Sequence, residues 1–361
     1  MTIDLALIVI ARNEEGRISD CLDSCVRAIS RARAEGLLRT ARIVLADSAS
    51  TDQTIRRARK FPVTIVRLGS GWPLSAAAGR FVGLRHADSE FVLFVDGDYV
   101  LYDDWLPVAL RIIRGDADIA AVCGRHNEEV TGEGFLMQAV KESTESAIGD
   151  PEAVPIGLYR ADLVRAVGGI HPFLRGGEDR DLAHRLRAAG HRIVRTDAAM
   201  GVHRWSDGGP LDYVTYFRSI LAWSIGDGQA FRLRKDRSFR RQALKRYGNA
   251  RHLVHDFYGL LLIVPVLTVL LAGWSPAVPA VLSIVTGYGL GLEVIRRRWR
   301  LTWRAFGFRL HAVPYSLIRQ AGFVIGFLRS TPHPSSYPAG EEILQQVDVP
   351  FDLAGAGTTE K

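Results

Sequence analysis

The sequence predicts an α/β fold, a mainly parallel sheet with helices on both faces, followed by a C-terminal helical hairpin of membrane-crossing length. Three observations carry that expectation. Short β-branched runs alternate with helical stretches through the first half. Acidic side chains gather where those apolar runs stop. Two long apolar spans in the second half are each bordered by arginines on the outer side.

Leu5–Ala11 is continuously apolar and gives way at once to Arg12, Asn13, Glu14 and Glu15. That run is too short for a signal core and fits a buried strand. Ile18, Leu22, Cys25, Val26 and Ile29 then recur at helical spacing. Ile43–Ala46 is the second strand, and Ser50-Thr51-Asp52 offers N-caps for a helix running through Ile55–Lys60. Val63–Leu68 reads as a strand, Ser75–Ala87 as an alanine-rich helix, and Phe91–Val95, Ala120–Cys123 and Arg192–Val194 as further strands. In a sheet of this order ligands bind beyond the carboxyl ends of the strands, so the loops after Ala11, Ala46 and Val95 should share one crevice. Cys21, Cys25 and Cys123 make no disulfide framework; Cys21 and Cys25 share the apolar helix face and read as buried reduced thiols, which suits a reducing compartment.

The α/β domain is expected over residues 1–228. A basic interfacial linker, 229–256, carries Arg232, Arg234, Lys235, Arg237, Arg240, Arg241, Lys245, Arg246 and Arg251. It leads into 257–295, where Phe257–Trp274 and Ala277–Ile295 are apolar spans around Ser275-Pro276, closed by Arg296, Arg297, Arg298 and Arg300. Such a span suits a hydrocarbon core of about 30 Å, and basic flanks on one side give a transmembrane hairpin with both ends cytoplasmic. A buried hairpin inside a soluble protein is the alternative. Residues 296–330 read as an amphipathic interfacial segment and 331–361 as a polar tail. The net charge of +7 and pI of about 9.5 favour an anionic partner. Because the basic block abuts an apolar span, lipid headgroups or an acceptor diphosphate account for it better than nucleic acid.

The sharpest motif is Asp96-Gly97-Asp98 directly after the Phe91–Val95 run. Strand alternation turns residues 96 and 98 to one side, and two hard oxygen donors suit a divalent cation that also grips a diphosphate. A polar strand cap is the alternative. Asp47 ends another strand and opens a loop of small hydrogen-bonding residues, where its carboxylate can accept from an imide N–H; helix capping by Ser50, Thr51 or Asp52 is the plainer explanation of that loop. Ala11-Arg12-Asn13-Glu14 stands where the first strand stops. Glu178, Asp179 and Asp181 crowd a helix start, where the dipole keeps carboxylates ionised. His203 could complete a metal site or be structural, and Arg204 beside it could bind phosphate.

Taken together, Ile8–Glu15, Ile43–Thr54, Arg80–Asp98 and Gly177–Arg187, with His203 behind them, resemble the family 2 glycosyltransferases. These are inverting enzymes with the GT-A fold, a Rossmann-like, mainly parallel sheet. The resemblance covers roughly residues 3 to 205 and implies a hexosyltransferase. It implies that Ala11, Arg12, Glu14, Asp47, Arg80 and Asp96 bind the nucleotide sugar, with UDP the first expectation. Asp98, Asp96 and His203 would hold Mg2+ or Mn2+. Asp179 would be the base and Glu178 would shape the acceptor pocket. The chain layout is similar to membrane-associated enzymes of bacterial exopolysaccharide assembly. That implies a multi-pass protein of the inner membrane, its catalytic domain cytoplasmic, acting on a polyprenyl-diphosphate-linked glycan. A polyprenyl-monophosphate acceptor, or a nucleotide-sugar-binding protein without activity, are the alternatives. Ser48, Ala49 and Phe81 depart from the family pattern, and Gln229-Ala-Phe-Arg232-Leu233 lacks the tryptophan of the processive members.

Overall fold

A computed structural model describes residues 3–129, 154, 156–204, 213–247, 315 and 318–347. The chain divides into two units, residues 1–211 with 330–361 and residues 212–329.

The first unit is built on a sheet in the order β5-β8-β6-β7-β4-β1-β2-β3-β9. At its centre lie β1 (Ile3–Ala11), β2 (Ala41–Asp47), β3 (Thr64–Arg67) and β4 (Ser89–Asp96), all parallel. β1 shows why its sequence is apolar throughout. Leu5, Leu7 and Val9 enter the core shared with α1 (Ile18–Ala34) and α4 (Trp105–Gly115), and Ile8 and Ile10 face α3 (Ala76–Arg85). Helices therefore cover both faces, as the continuous hydrophobicity predicts. α3 sits close because Gly79 and Gly83 face the sheet; a Cβ on Gly83 would run into Ile8. α2 (Thr54–Ala58) is a short helix between β2 and β3.

The sheet is mixed rather than mainly parallel. β5 (Tyr99–Leu101), β7 (Gly157–Arg160) and β9 (Glu342–Gln345) all enter antiparallel, and only β6 (Ile119–Glu129) with β8 (Arg192–Arg204) adds another parallel pair. These three strands have three or four residues each, too few for a period-2 pattern to stand out in the sequence. After β7 the chain forms α5 (Ala161–Ala166) and then α6 (Glu178–Ala188). The stretch expected as a polar tail supplies β9, which pairs with β3 and covers that edge of the sheet. Its polarity is that of a half-exposed edge strand. Cys21, Cys25 and Cys123 are buried and free.

The second unit contains α7 (Tyr213–Leu233), α8 (Arg237–Tyr247) and a helix over residues 318–328. Because α7 is continuous from Tyr213, the boundary lies before it rather than at residue 228, and much of the expected linker is helical. Gly228 and Gly326 let α7 and the 318–328 helix meet backbone to backbone, where a Cβ would strike the Phe323 or the Ile225 carbonyl. Phe231 stacks edge-on against Phe323, centroids 5.4 Å apart. The hairpin expected at 257–295 lies outside the described residues. Among the described residues no helix is long and apolar enough to cross a membrane.

Candidate active site

Strand register assembles the site. Asp47 ends β2 beside Ala11, and Asp96 ends β4 beside Ile10, so the two carboxylates flank the end of β1. Two strand spacings separate them, about 10 Å. The loops after β1 and β2 are laced together. Ser48 N donates to the Ala11 carbonyl at 2.8 Å, Asn13 N to Ser50 Oγ at 2.9 Å, Glu14 N to Thr54 Oγ1 at 2.7 Å, and Thr51 N to Asn13 Oδ1 at 2.9 Å. Among the described residues, Asn13 and Ala49 alone of the non-glycines have positive φ, 57° and 55°. Both lie in these laced loops. Asparagine tolerates that conformation, whereas Ala49 holds it at a cost of about 1 kcal/mol.

Asp47 is fully buried. Its Oδ2 accepts from Ser50 N at 2.9 Å, and its Oδ1 has no hydrogen-bond partner among the described residues. Burial pushes this carboxyl above its usual range against the hydrogen bonds from Ser50. Arg67, at the end of β3, adds positive charge here and donates to the Ser50 carbonyl at 3.4 Å. Sequence reasoning missed it, although its place at a carboxyl strand end was a usable signal. Arg12 is exposed, and Glu14 is paired with Arg17 at 2.6 Å.

Arg80 is the hub. It lies 4% exposed on α3, with Nη2 2.6 Å from Asp96 Oδ1 and Nη1 bonded to Glu178 Oε1. Burial opposes its charge, but the fields of Asp96, Glu178 and Asp179 outweigh that and hold the guanidinium more firmly protonated. Glu178 is itself buried, so it faces Arg80 rather than an open acceptor pocket; burial raises its carboxyl against the pull of Arg80. Asp179, the next residue, is partly exposed, and its charge reaches Asp96. Gly177, with φ 70°, opens α6 at this point.

Asp98 stands on the other flank. β5 pairs with β8 so that Tyr99 lies opposite His203, which brings His203 Nε2 to 3.2 Å from Asp98 Oδ2. Burial alone would raise Asp98; the hydrogen bond and charge of His203 hold it below the usual carboxylate range. Among the described residues no group of three or more His, Cys, Asp or Glu side chains forms a metal cage. Of the expected trio of Asp96, Asp98 and His203, the last two are in contact, and Asp96 is bonded through Oδ1 to Arg80. An ionised carboxylate facing an imidazole still fits a Mg2+ or Mn2+ ion that takes its other ligands from a diphosphate. Gly97 serves packing as well, since a Cβ there would press within 3.1 Å of the Ile10 carbonyl. Arg204 is engaged with Asp20 at 2.6 Å and Glu129 at 2.9 Å.

Residues 6–160 match the family model of glycosyl transferase family 2. The matched stretch runs from β1 to the end of β7 and includes Asp47, Arg80, Asp96 and Asp98. An uncharacterized glycosyltransferase of Haemophilus influenzae is 23% identical over 190 residues, covering 50% of this chain and 61% of that protein. The pre-mycofactocin glycosyltransferase of Mycobacterium tuberculosis is 30% identical over 139 residues, 35% of this chain and 29% of that protein. The chain therefore spans less than two thirds of either curated relative. Among solved structures, a mannosyltransferase of Pyrobaculum calidifontis in complex with GDP-Man and Mn2+ superposes with TM-score 0.54 at 18% identity, over 90% of this chain and 88% of that one. This likeness is one of fold and agrees with the GT-A expectation.

Proposed function

We propose that the family 2 domain transfers a sugar, with inversion, from a nucleoside-diphosphate donor to a hydroxyl of a membrane-anchored glycan. The observation that supports this reading is the Arg80 bridge, which ties Glu178, the residue before Asp179, to the acidic end of β4. In the reaction the acceptor oxygen bonds to the anomeric carbon while the bond to the leaving diphosphate oxygen breaks, and the hydroxyl proton passes to Asp179. Asp47, buried at the end of β2, would shape the nucleobase end of the crevice, UDP being the first donor to try. Asp98 and His203 would hold a divalent cation, whose charge offsets the negative charge growing on the diphosphate. GDP-Man and Mn2+ in the Pyrobaculum calidifontis mannosyltransferase support that donor chemistry.

The choice of a polyprenyl-diphosphate-linked acceptor, in exopolysaccharide or envelope glycan synthesis, rests on the resemblance of the chain layout to membrane-associated enzymes of that assembly; the apolar 257–295 stretch and its basic borders support a membrane-held acceptor. Exposed apolar side chains of the second unit add support, among them Trp223 at 43%, Val324 at 52% and Leu328 at 67%. The protein on this reading sits in the bacterial inner membrane with the catalytic unit cytoplasmic.

The test incubates purified protein with nucleotide sugars and lipid acceptors, with and without Mn2+ or Mg2+, and identifies products by mass spectrometry. Transfer only to a polyprenyl monophosphate would select that acceptor instead. Asp179→Asn should keep donor affinity and lose at least roughly a hundredfold in turnover. Asp98→Ala should lose metal-dependent donor binding. Wild-type turnover by Asp179→Asn would remove Asp179 as base.

A further inference from the structure

Four aromatic rings meet outside the site. Tyr337, 5% exposed, stands in the middle, edge-on to Trp72 at 5.7 Å, Phe81 at 5.6 Å and Phe173 at 5.4 Å between centroids. Its hydroxyl donates to the Pro73 carbonyl at 2.8 Å.

The three outer rings belong to segments with a direct bearing on the reaction. Trp72 lies in the loop after β3, which starts where Leu68 N donates to the Asp47 carbonyl at 2.9 Å. That loop ends where Ser75 caps α3, whose Gly79 faces Ser48. It therefore borders the nucleotide crevice. Trp72 folds back onto Gly69, where a Cβ would come within 2.6 Å of the indole nitrogen, so the loop is a tight, preformed turn. Phe173 lies in the loop that delivers Glu178 and Asp179 on α6. Ser75 Oγ donates to the Pro172 carbonyl at 3.4 Å, a hydrogen bond between the two loops. Phe81, adjacent to Arg80, departs from the family's asparagine, and here it serves as a seat for Tyr337.

The segment bearing Tyr337 is fastened beyond it. Glu341 Oε1 lies 2.8 Å from His86 Nε2, Glu341 Oε2 lies 3.5 Å from Arg85, and β9 then joins the sheet. Gln345 Nε2 donates to the Phe61 and Val63 carbonyls at 3.0 and 2.9 Å. A side chain anchored in this way can set the spacing of the loops it touches.

We infer that Tyr337 is a positioning residue for sugar transfer, clamping the donor-side loop to the loop that presents the base. This rests on the reading of Asp179 as that base. The experiment compares Tyr337→Phe, Tyr337→Ala and Phe81→Asn in the full chain, measuring kcat, donor KM, melting temperature and amide hydrogen exchange of residues 69–75 and 171–177. Tyr337→Phe keeps every ring contact and should stay close to wild type. Tyr337→Ala should lose about 10- to 100-fold in kcat well below its melting temperature, since an ångström of misplacement has that effect. It should also speed exchange in both loops. Phe81→Asn should loosen chiefly the donor-side loop. Wild-type kinetics in Tyr337→Ala, or unchanged exchange in both loops, would overturn the inference. Should the wild-type protein transfer no sugar at all, the catalytic reading fails separately, and the exchange data still decide whether Tyr337 holds the loops.

Discussion

Arg80 holds two carboxylates, Glu178 buried with it and Asp96 with 27% of its side chain exposed. Removing one partner of a buried ion pair is far costlier than removing all of it, because the remaining charge is left without solvent or counterion. Arg80→Met should therefore destabilise the protein by about 3–5 kcal/mol in guanidinium unfolding. Arg80→Met combined with Glu178→Leu should regain much of that stability and remain inactive, since α6 would have lost its tie to β4. Full stability in Arg80→Met alone would show that the bridge matters little to the fold. The acidic residues of the site were legible in the sequence because each one ends an apolar run or opens a helix. Arg80 was legible only as part of a family pattern. Its bond to Glu178 joins residues 98 positions apart, and no local periodicity reports a contact of that range. The same distance in sequence hid the true setting of Glu178, which by its neighbours reads as a site carboxylate and in the fold is a buried counterion.

At the scale of elements, what was readable follows length and burial. β1, β2 and β4 are buried on both faces and announce themselves as unbroken apolar runs, whereas β5, β7 and β9 have too few residues to show any pattern. α4, with Trp105, Leu106 and Leu110 buried, is absent from the elements expected above; it carries Pro107 in its first turn, where proline is tolerated. Helix packing in the second unit gives a sharper prediction. Gly322 and Gly326, four residues apart, face Ser224 and Ile225 of α7, a small-residue contact of the kind that lets backbones touch. Gly326→Ala puts a methyl against a carbonyl that no rotamer change can move, so α7 and the 318–328 helix must separate. The expected loss is about 1–3 kcal/mol, read as faster proteolysis and hydrogen exchange within residues 213–247 and 318–328. Gly71→Ala, where a Cβ meets open space, is the control and should leave both readouts unchanged.

Over the whole molecule the charge is unevenly divided. Between Tyr213 and Tyr247 nine arginines and lysines oppose two aspartates, an excess of seven that equals the net +7 of the entire chain. Six of the eight exposed large apolar side chains among the described residues belong to the same unit. On the proposed reading, these basic and apolar side chains and the long apolar stretch in sequence would give two attachments to a membrane, one electrostatic and one by insertion, which respond differently to solvent. Surface attraction is worth about 1 kcal/mol per basic residue and fades within a Debye length, so salt dissolves it. An inserted hairpin is held by its apolar area and is indifferent to salt. After a high-salt wash and then alkaline carbonate, the full chain should stay in the membrane pellet and be released only by detergent. Replacing the exposed Lys235, Arg237 and Arg241 by glutamine should leave that partition unchanged, because insertion alone retains the chain. The same triple variant should lower kcat/KM for a lipid-linked acceptor in anionic bilayers and spare turnover with a short soluble acceptor. Release of the wild-type chain by carbonate would leave only the basic surface as the anchor, and the reading of 257–295 as a membrane hairpin would then have to be given up.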